Sequence, residues 1–396
     1  MNARAMLISF VLCATLALCG GCGEESSTSG PGGTKPPVIS GILPPGAGSG
    51  THITIRGSNF ENEQGTGSVH VASASAAVDS WSDDEIECTL PGGLAEGLEA
   101  DVVVTTHSGK SASAKIAVTA ASTYRVTTDG AMDHYPCWSP DGEWIYYSST
   151  LSGGANWDIY RIPAIGGTPE RVTFDGEADF YPDLNPSTGE LAWSSEMAHV
   201  SNNEGDFEIF YGFPLCIAPG SACSVTMLTS NASRDLDPAW ALTVYMGYSM
   251  AYTWEEVDQS GYFLAWKIAL RSSGPPVVLA TGRQPNFSPD GQWVVYTHQD
   301  NIYKIPTGGG TPVQLTDTNH DWYPHWGWTN DKIVFQRTNG GNFEDIFVMN
   351  SDGTDVEALV STRNNEYCPS WSPDCTKVVY YALIGGNFDI YVYVVP

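Results

Sequence analysis

A short sequence that recurs six times between residues 135 and 374 constrains the fold of this chain more than any other feature. It is Tyr-Pro-Cys-Trp-Ser-Pro-Asp-Gly at residues 135–142, and looser versions begin at Tyr181, Asp237, Gln284, Tyr323 and Cys368. The prolines that mark the repeats are separated by 46, 56, 47, 39 and 45 residues. This period is typical of one four-stranded blade of a β-propeller.

Each repeat carries the signals of four short strands, and the proline motif opens the first of them. The last repeat stops at Pro396 after its third strand, whereas a fourth-strand sequence, Tyr-Arg-Val-Thr at residues 124–127, stands before the first repeat. Closure of the ring would leave no blade with an unpaired edge. We therefore expect residues 124–127 to complete the last blade of a six-bladed ring.

The residue totals favour short strands and an acidic surface. The chain of 396 residues has 42 Gly and 25 Pro, and its 45 acidic residues outnumber 17 basic ones, which gives a formal net charge of −28. Such a surface repels nucleic acid and anionic membranes, so no nucleic-acid partner is expected. It suits basic partners, divalent cations or solubility alone.

The amino-terminal residues predict export. Residues 1–21 contain one charge, Arg4, and an apolar run too short to span a bilayer, which is typical of a signal peptide. The sequence Leu-Cys-Gly-Gly-Cys at residues 18–22 resembles a bacterial lipobox. That resemblance implies lipidation of Cys22, attachment to the cell envelope through this lipid alone, and sorting to the outer membrane. Residues 22–36 are rich in Ser, Gly and Pro and predict a flexible tether.

Residues 37–119 predict an immunoglobulin-like β-sandwich that precedes the propeller. Short alternating segments such as Thr-His-Ile-Thr-Ile at residues 51–55 and Asp-Val-Val-Val at residues 101–104 are separated by Gly- and Pro-rich turns. The order of these pieces, with Gly-Ser-Asn-Phe at residues 57–60, resembles the IPT/TIG family. That resemblance implies a spacer or adhesion module.

The repeats themselves resemble those of TolB-like six-bladed propellers across residues 122–396. The amino-terminal α/β domain of TolB has no counterpart here, because the sandwich takes its place. The predicted fold class is therefore all-β, with a β-sandwich followed by a six-bladed propeller that an N-terminal strand closes.

The segments that lead into the first strand of each blade are the predicted binding site, because they should converge around the axial opening. Five of six blades place a carboxylate there and the fourth places Arg283. The predicted partner-binding residues are Asp133, His134, Asp179, Asp235, Asp237, Arg283, Asp321, Trp322 and Glu366. Converging carboxylates could hold Ca²⁺ or receive a basic side chain. The alternative is a solvated acidic rim.

Other residue types in the repeats favour structural roles. The aromatic residues Trp138, Trp240, Phe287, Trp326 and Trp371 predict packing between blades, not a binding site. The spacing of His320 and His325 has no fixed metal-binding geometry outside a helix. Cys216 and Cys223 flank a turn-like insert and predict a disulfide, whereas the pairing of Cys88, Cys137, Cys368 and Cys375 stays open.

These observations favour a non-catalytic, monomeric envelope lipoprotein that binds a protein or glycan partner through one propeller face. One alternative is a cation-dependent polysaccharide lyase or another carbohydrate-active enzyme, because some enzymes with related repeats use histidines and a divalent cation. A second alternative is a structural surface spacer, which would bind no ligand at all.

Overall fold

The computed structural model describes residues 35–95, 97–119, 123–153, 156–174, 176–196, 206–214, 225–339, 343–362 and 364–395. Residues Pro36–Pro396 group into one compact unit. In the described ranges the extended elements are β-strands, and no helix is long and apolar enough to cross a membrane. The predicted lipidation site Cys22 and the predicted disulfide between Cys216 and Cys223 lie outside the described residues.

The first part of the unit is a β-sandwich built from nine strands. The strands are β1 (Val38–Leu43), β2 (Gly46–Ala47), β3 (His52–Ser58), β4 (Ser68–Val71), β5 (Ala74–Ser75), β6 (Ala77–Trp81), β7 (Glu85–Thr89), β8 (Glu99–Thr105) and β9 (Ser111–Val118). One sheet has the order β1-β3-β7-β6, and the other contains β2-β9-β8-β4-β5. Alternate residues such as Ile53, Ile55, Val102 and Val104 are buried between them, as the period-two pattern predicts.

The second part consists of six four-stranded blades among the described residues. Strand β10 (Thr123–Arg125) precedes the strands of blade 1 in the chain. Blade 1 has β11 (Asp133–Trp138), β12 (Trp144–Ser149), β13 (Asp158–Pro163) and β14 (Glu170–Arg171); blade 2 has β15 (Asp179–Leu184), β16 (Leu191–Ser195), β17 (Glu208–Gly212) and β18 (Thr226–Met227); blade 3 has β19 (Asp235–Tyr245), β20 (Tyr248–Val257), β21 (Phe263–Arg271) and β22 (Val277–Thr281).

The remaining three blades repeat this order of strands. Blade 4 has β23 (Arg283–Phe287), β24 (Trp293–His298), β25 (Asn301–Pro306) and β26 (Val313–Gln314); blade 5 has β27 (Asp321–Trp326), β28 (Lys332–Asn339), β29 (Phe343–Asn350) and β30 (Glu357–Val360); blade 6 has β31 (Asn365–Trp371), β32 (Lys377–Ile384), β33 (Asn387–Val394) and β10. Each first strand contacts the first strand of the next blade, and β31 contacts β11, so the blades form a ring. The predicted all-β fold class is confirmed.

Strand β10 closes the ring as the sequence predicts. It pairs antiparallel with β33, with Tyr124 opposite Val392. The Thr127 hydroxyl accepts a hydrogen bond from the Ile390 amide at 3.0 Å, and Thr173 accepts one from the Ile159 amide of blade 1 at 2.8 Å. Residues 123–127 therefore make the same bonds to blade 6 that the fourth-strand segment of blade 1 makes to its own blade.

The same strand joins the sandwich to the propeller. Strand β2 pairs with β10 on one side and with β9 on the other, so one nine-stranded sheet runs from blade 6 into the sandwich. A Cβ atom on Gly46 would lie 3.2 Å from the Cβ atoms of both Ala117 and Arg125, so the absence of a side chain permits this close pairing. The sequence did not predict this junction, because residues 44–50 have only turn signals.

The apolar core of the ring lies between neighbouring blades. Each junction buries aliphatic and aromatic side chains from two adjacent sheets, as Tyr146 and Ile159 of blade 1 pack with Trp193 and Phe210 of blade 2. The predicted packing role of the repeated aromatic residue is confirmed, since Trp138, Phe287, Trp326 and Trp371 are at least 95 % buried and Trp240 is half-buried. Burial of these large side chains adds hydrophobic stabilisation to the junctions between blades.

Candidate functional site

The first strand of every blade has the same bulge beside its proline. In each blade the ladder between the first and second strands shifts register between the residue two before the proline and the residue after it. The residue just before the proline has a positive φ, between 47° and 57°, in all six blades: Tyr135, Tyr181, Asp237, Gln284, Tyr323 and Cys368. Such a backbone is costly for residues other than Gly, so the surrounding structure must hold it.

Polar side chains of the preceding blade provide that support. The bulge frees the backbone N–H before the proline from the ladder within its own blade. The Tyr323 amide donates to Gln284 Oε1 at 3.2 Å and the Cys368 amide donates to Gln336 Oε1 at 3.3 Å. The Gln284 amide donates to Thr253 Oγ1 at 2.9 Å. Each bond links one blade to the next. It also holds the backbone of the residue before the proline, and so fixes the direction in which that residue's side chain points.

These bulges build an axial cavity of about 110 Å³ where the six first strands meet. The residues before the prolines form one layer of its wall: Tyr135, Tyr181, Asp237, Gln284, Tyr323 and Cys368. In five of the blades the residue after the proline adds a second layer: Cys137, Asp183, Ala239, His325 and Ser370. The Tyr135 ring lies 4.2 Å from the Tyr181 ring and 6.3 Å from the Tyr323 ring, between centroids. Three of the six residues in the first layer are therefore tyrosines.

Two carboxylates lie in the wall of the axial cavity. Asp237 Oδ2 accepts a hydrogen bond from Thr253 Oγ1 at 2.9 Å, and Asp183 Oδ2 accepts one from the Trp240 amide at 2.7 Å. Burial raises the pKa of Asp237 to about 6, against the Thr253 hydrogen bond and the charge of Arg283. Burial also raises the pKa of Asp183 to about 7. No Lys or Arg lines this cavity among the described residues, so a positively charged guest would stabilise both carboxylates in their ionised form.

Five of the predicted carboxylates neither converge on the axial cavity nor form the alternative, a solvated acidic rim. Asp133, Asp179, Asp235 and Asp321 have no exposed surface and Glu366 is 1 % exposed, and none of them lines the axial cavity. They are the first or second residues of their strands, and the bulge places only the residues next to the proline on the axis. Of the predicted site residues, Asp237 alone lines the cavity. A shared Ca²⁺ site formed by the predicted carboxylates has no support in this arrangement.

The buried carboxylates are held within their own blades. Asp133 accepts a bond from Ser149 Oγ at 2.6 Å, and Asp321 pairs with Arg337 at 2.5 Å. Glu366 accepts a bond from the Thr362 hydroxyl. Burial raises the pKa of Asp133 and of Glu366 to about 8. Their repetition therefore reflects a structural role.

Asp235 shares its surroundings with a second carboxyl group, that of Glu208. Asn231 bridges the two carboxyl groups. Its backbone N–H donates to Glu208 Oε1 at 2.7 Å, and its side-chain Nδ2 donates to Asp235 Oδ2 at 2.6 Å. Burial, followed by the charge of Glu208, raises the pKa of Asp235 well above its usual value. Because Glu208 lies on β17 of blade 2 and Asp235 on β19 of blade 3, this pair supports the junction between the two blades.

His134 lies in an arc of half-buried rings beside the axial cavity. We name this group the aromatic arc; it consists of Tyr367, Phe388, His134, Trp157, Phe180 and Phe207 from blades 6, 1 and 2. The His134 ring lies 4.7 Å from Phe388 and 4.8 Å from Trp157, and Phe180 lies 5.3 Å from Trp157, between centroids. Burial lowers the pKa of His134 to about 4, so its ring is neutral at physiological pH.

Arg283 and Trp322 meet at Asp300 on blades 4 and 5. The Arg283 guanidinium donates to Asp300 Oδ1 at 3.2 Å, and the indole N–H of Trp322 donates to the same oxygen at 2.8 Å. Both predicted site residues are half-buried. The surface at this end of the first strands therefore combines the aromatic arc on blades 6, 1 and 2 with a charged cluster on blades 4 and 5.

The histidine and cysteine alternatives can be placed as well. His325 lies in the second layer of the axial cavity, where it accepts the Trp371 amide at 3.3 Å, and burial lowers its pKa to about 4. No group of three or more His, Cys, Asp or Glu side chains suited to a metal occurs in the part of the chain that is described. Cys88, Cys137, Cys368 and Cys375 are free thiols.

Sequence reasoning missed most of the axial cavity. The signal that could have found it is the residue just before each proline, whose type differs among the repeats although its place is constant. Nothing in the residue pattern favours this position over the carboxylates two residues earlier, because the bulge that turns it to the axis is a tertiary feature.

Comparisons with known proteins bear on the sandwich most directly. The IPT/TIG domain family model matches residues 37–119, so the chain contains an IPT/TIG domain there. An uncharacterized protein of Agrobacterium fabrum is 31 % identical over 87 residues, which are 19 % of this chain and 30 % of that protein. The match thus spans less than a third of the relative's length.

Solved structures resemble the chain at low identity. The hydrazine synthase of Kuenenia stuttgartiensis aligns with a TM-score of 0.50 and 12 % identity over 67 % of this chain and 42 % of that one. The putative TolB from Agrobacterium tumefaciens has a TM-score of 0.47 and 23 % identity, over 67 % and 91 % of the two chains. An auxiliary nutrient binding protein from Bacteroides ovatus has a TM-score of 0.46 and 14 % identity, over 90 % and 97 %. Likeness at this level of identity concerns the fold.

Proposed function

We propose that this chain is a non-catalytic binding protein whose partner inserts a basic side chain into the axial cavity. The observation that carries the proposal is the pair of carboxylates, Asp183 and Asp237, in a cavity whose described lining contains no Lys or Arg. An arginine or lysine side chain of a partner protein supplies the missing positive charge. Its alkyl stem can pack against the tyrosines in the first layer of the cavity wall. The formal charge of −28 favours the approach of such a partner over that of an anionic polysaccharide.

The surface around the cavity supports a protein partner. The aromatic arc and Arg283 belong to the residue types that are enriched at the centres of protein interfaces. The cavity volume of about 110 Å³ suits a single side chain or a few waters, and it is well below the usual size of a small-molecule pocket. The partner therefore contacts the face broadly and enters the axis with one residue.

Two pentapeptides test the cation site. They are acetylated and amidated Gly-Gly-Arg-Gly-Gly and the same sequence with norleucine in place of arginine, titrated calorimetrically into the mature chain. The arginine peptide should bind and the norleucine peptide should not. Affinity should fall as the pH drops below about 6, because Asp183 and Asp237 then take up protons and lose the charge that holds the guest.

A matched pair of variants locates the effect. Asp237→Asn should weaken binding of the arginine peptide about tenfold or more, since it removes a charge in a poorly solvated site. Asp101→Asn changes the net charge equally at an exposed sandwich residue and should leave affinity unchanged. Equal affinity for both peptides, or equal loss in both variants, would exclude the cation site. Failure of every basic peptide to bind would favour the structural spacer.

We also propose that the chain is exported and held to the outer membrane by lipid on Cys22. The supporting features are the apolar leader, the lipobox-like sequence and the Ser/Gly/Pro-rich residues that follow it. Metabolic labelling with an alkyne fatty acid should mark the wild-type chain and not Cys22→Ser. Labelling of both, or of neither, would show that Cys22 is not the anchor.

A further inference from the structure

A second cavity, of about 430 Å³, lies between blades 4 and 5 at the opposite end of the first strands from the aromatic arc. We name it the blade 4–5 cavity. Its principal lining residues are Asp290, Trp293, Lys304, Trp326, Trp328 and Asn330. None of them lines the axial cavity. Its volume lies in the range of small-molecule sites.

Three tryptophans and one lysine give the blade 4–5 cavity its chemistry. The Lys304 ammonium lies 5.1 Å from the centroid of the Trp293 ring and 5.8 Å from that of Trp326. It donates one hydrogen bond to the Ser351 carbonyl at 2.7 Å. An ammonium has three donors, so two remain for other partners. The indole N–H of the buried Trp326 also has no acceptor among the described residues.

The equivalent position in blade 1 shows what is unusual about Lys304. There Arg161 lies 4.3 Å over the Trp144 ring and forms a salt bridge with Glu170 at 2.6 Å. Arg161 is paired with Glu170 across the strand ladder, whereas Lys304 is paired with Val313. The carboxylate that neutralises the cation in blade 1 is therefore absent from the equivalent place in blade 4.

The turn of blade 5 departs from the repeat at the same cavity. Trp328 stands where the other turns have Pro140, Pro289 and Pro373. The turn is held in place, because the Lys332 amide donates to Asn330 Oδ1 at 3.2 Å and the Thr329 amide donates to Cys375 Sγ of blade 6 at 3.4 Å. Trp328 is thus a fixed, half-buried ring in the cavity wall.

This turn requires glycine at position 327. A Cβ atom at Gly327 would lie 2.1 Å from Asn330 Oδ1, whereas the turns of blades 1, 4 and 6 have Ser139, Ser288 and Ser372 there. Glycine at position 327 therefore leaves room for the Asn330 side chain, whose Oδ1 accepts the hydrogen bond from the Lys332 amide. Gly327 and Trp328 are therefore both departures from the repeat that belong to this one turn.

We propose that the blade 4–5 cavity binds a neutral pyranose sugar unit. The apolar C–H face of the ring packs on the Trp328 indole, and its hydroxyl groups accept from Lys304 and donate to Asp290 or Asn330. Two carboxylates, Asp290 and Asp331, line the cavity with the single cation, and this balance disfavours an acidic sugar. The site is independent of the axial cavity and of its proposed guest.

Sugar titrations test the proposal. The probes are methyl β-D-glucopyranoside, methyl β-D-galactopyranoside and N-acetyl-D-glucosamine, followed by tryptophan fluorescence and by saturation-transfer NMR on the sugar protons. At least one probe should bind saturably to the mature chain. Trp328→Ala should weaken that binding roughly tenfold, the size expected for the loss of one aromatic stacking contact.

Further variants separate the site from general effects of mutation. Lys304→Met keeps the alkyl chain over the tryptophans and should also weaken sugar binding, so the proposal stays testable if Trp328→Ala does not fold. Trp144→Ala in blade 1 and Asp237→Asn in the axial cavity should leave it unchanged. Glucuronate is titrated beside the neutral probes as an acidic sugar. Absence of saturable binding of every neutral probe, whether or not glucuronate binds, or affinity unaltered by both site variants, would overturn the proposal.

Discussion

Thr127→Val tests whether the segment at residues 123–127, which contains β10, stabilises the closed ring. Thr127 is 1 % exposed, and its hydroxyl accepts the Ile390 amide at 3.0 Å. Valine has nearly the same shape but no acceptor, so it leaves a buried backbone N–H unsatisfied. The cost of such a group is about 1–3 kcal/mol. Thr173→Val is the matched variant in blade 1, because Thr173 is fully buried and accepts the Ile159 amide at 2.8 Å.

The two variants should lower the free energy of unfolding by similar amounts, measured by urea denaturation with tryptophan fluorescence. Hydrogen–deuterium exchange supplies the local readout. Thr127→Val should speed exchange in β33, which contains Ile390, whereas Thr173→Val should speed it in β13. If Thr173→Val destabilises the chain while Thr127→Val alters neither its stability nor exchange at Ile390, residues 123–127 do not close the ring.

Two further predictions concern the sandwich junction and the buried carboxylates. Gly46→Val should cost about 1–3 kcal/mol through steric overlap between β2, β9 and β10, whereas Gly41→Val, where a Cβ meets nothing within 4 Å, should cost less; equal melting temperatures for the two variants would contradict the close approach. Burial raises the pKa of Asp133 and Glu366 to about 8 and that of Asp183 to about 7, so the folded chain binds more protons than the unfolded chain at neutral pH. The melting temperature should therefore fall between about pH 6.5 and about pH 8.5, and a rise over that range would contradict the assignment.

The repeats predicted the ring because each blade needs the same four strands. Strand β10 could be predicted from a missing fourth strand, since Thr127 and Arg125 match Thr173 and Arg171. Arg125 indeed pairs with the buried Asp389 at 2.8 Å, as Arg171 pairs with Asp158 at 2.7 Å. The short strand β2 could not be predicted, because two residues between turn signals have no periodicity and the pairing depends on a neighbour far along the chain.

The candidate site was harder to predict for a physical reason. Alternation along a strand assigns each side chain to one face, and one bulge changes that assignment for every residue beyond it. The carboxylates of Asp133, Asp179 and Asp321 precede the bulge and lie buried. Because these carboxylates recur in the repeats, the sequence suggested a shared binding site. Buried residues that support each blade in the same way also recur, so recurrence alone does not indicate a binding site.

Whether a position keeps its residue type in the repeats therefore distinguishes residues that support the blades from residues that are candidates for ligand binding. Positions that support a blade keep their residue type from repeat to repeat, as the fourth-strand Thr does at 127, 173, 229 and 316. The position before each proline keeps its backbone conformation but changes its side chain, which makes a symmetric ring into an asymmetric cavity. The blade 4–5 cavity follows the same pattern, because Trp328 stands at a turn position where blades 1, 4 and 6 have proline, and Val313 stands where blade 1 has the salt-bridge partner Glu170. A ligand that is not six-fold symmetric can be recognised only by such departures, so they are where substitutions should change binding with the least effect on folding.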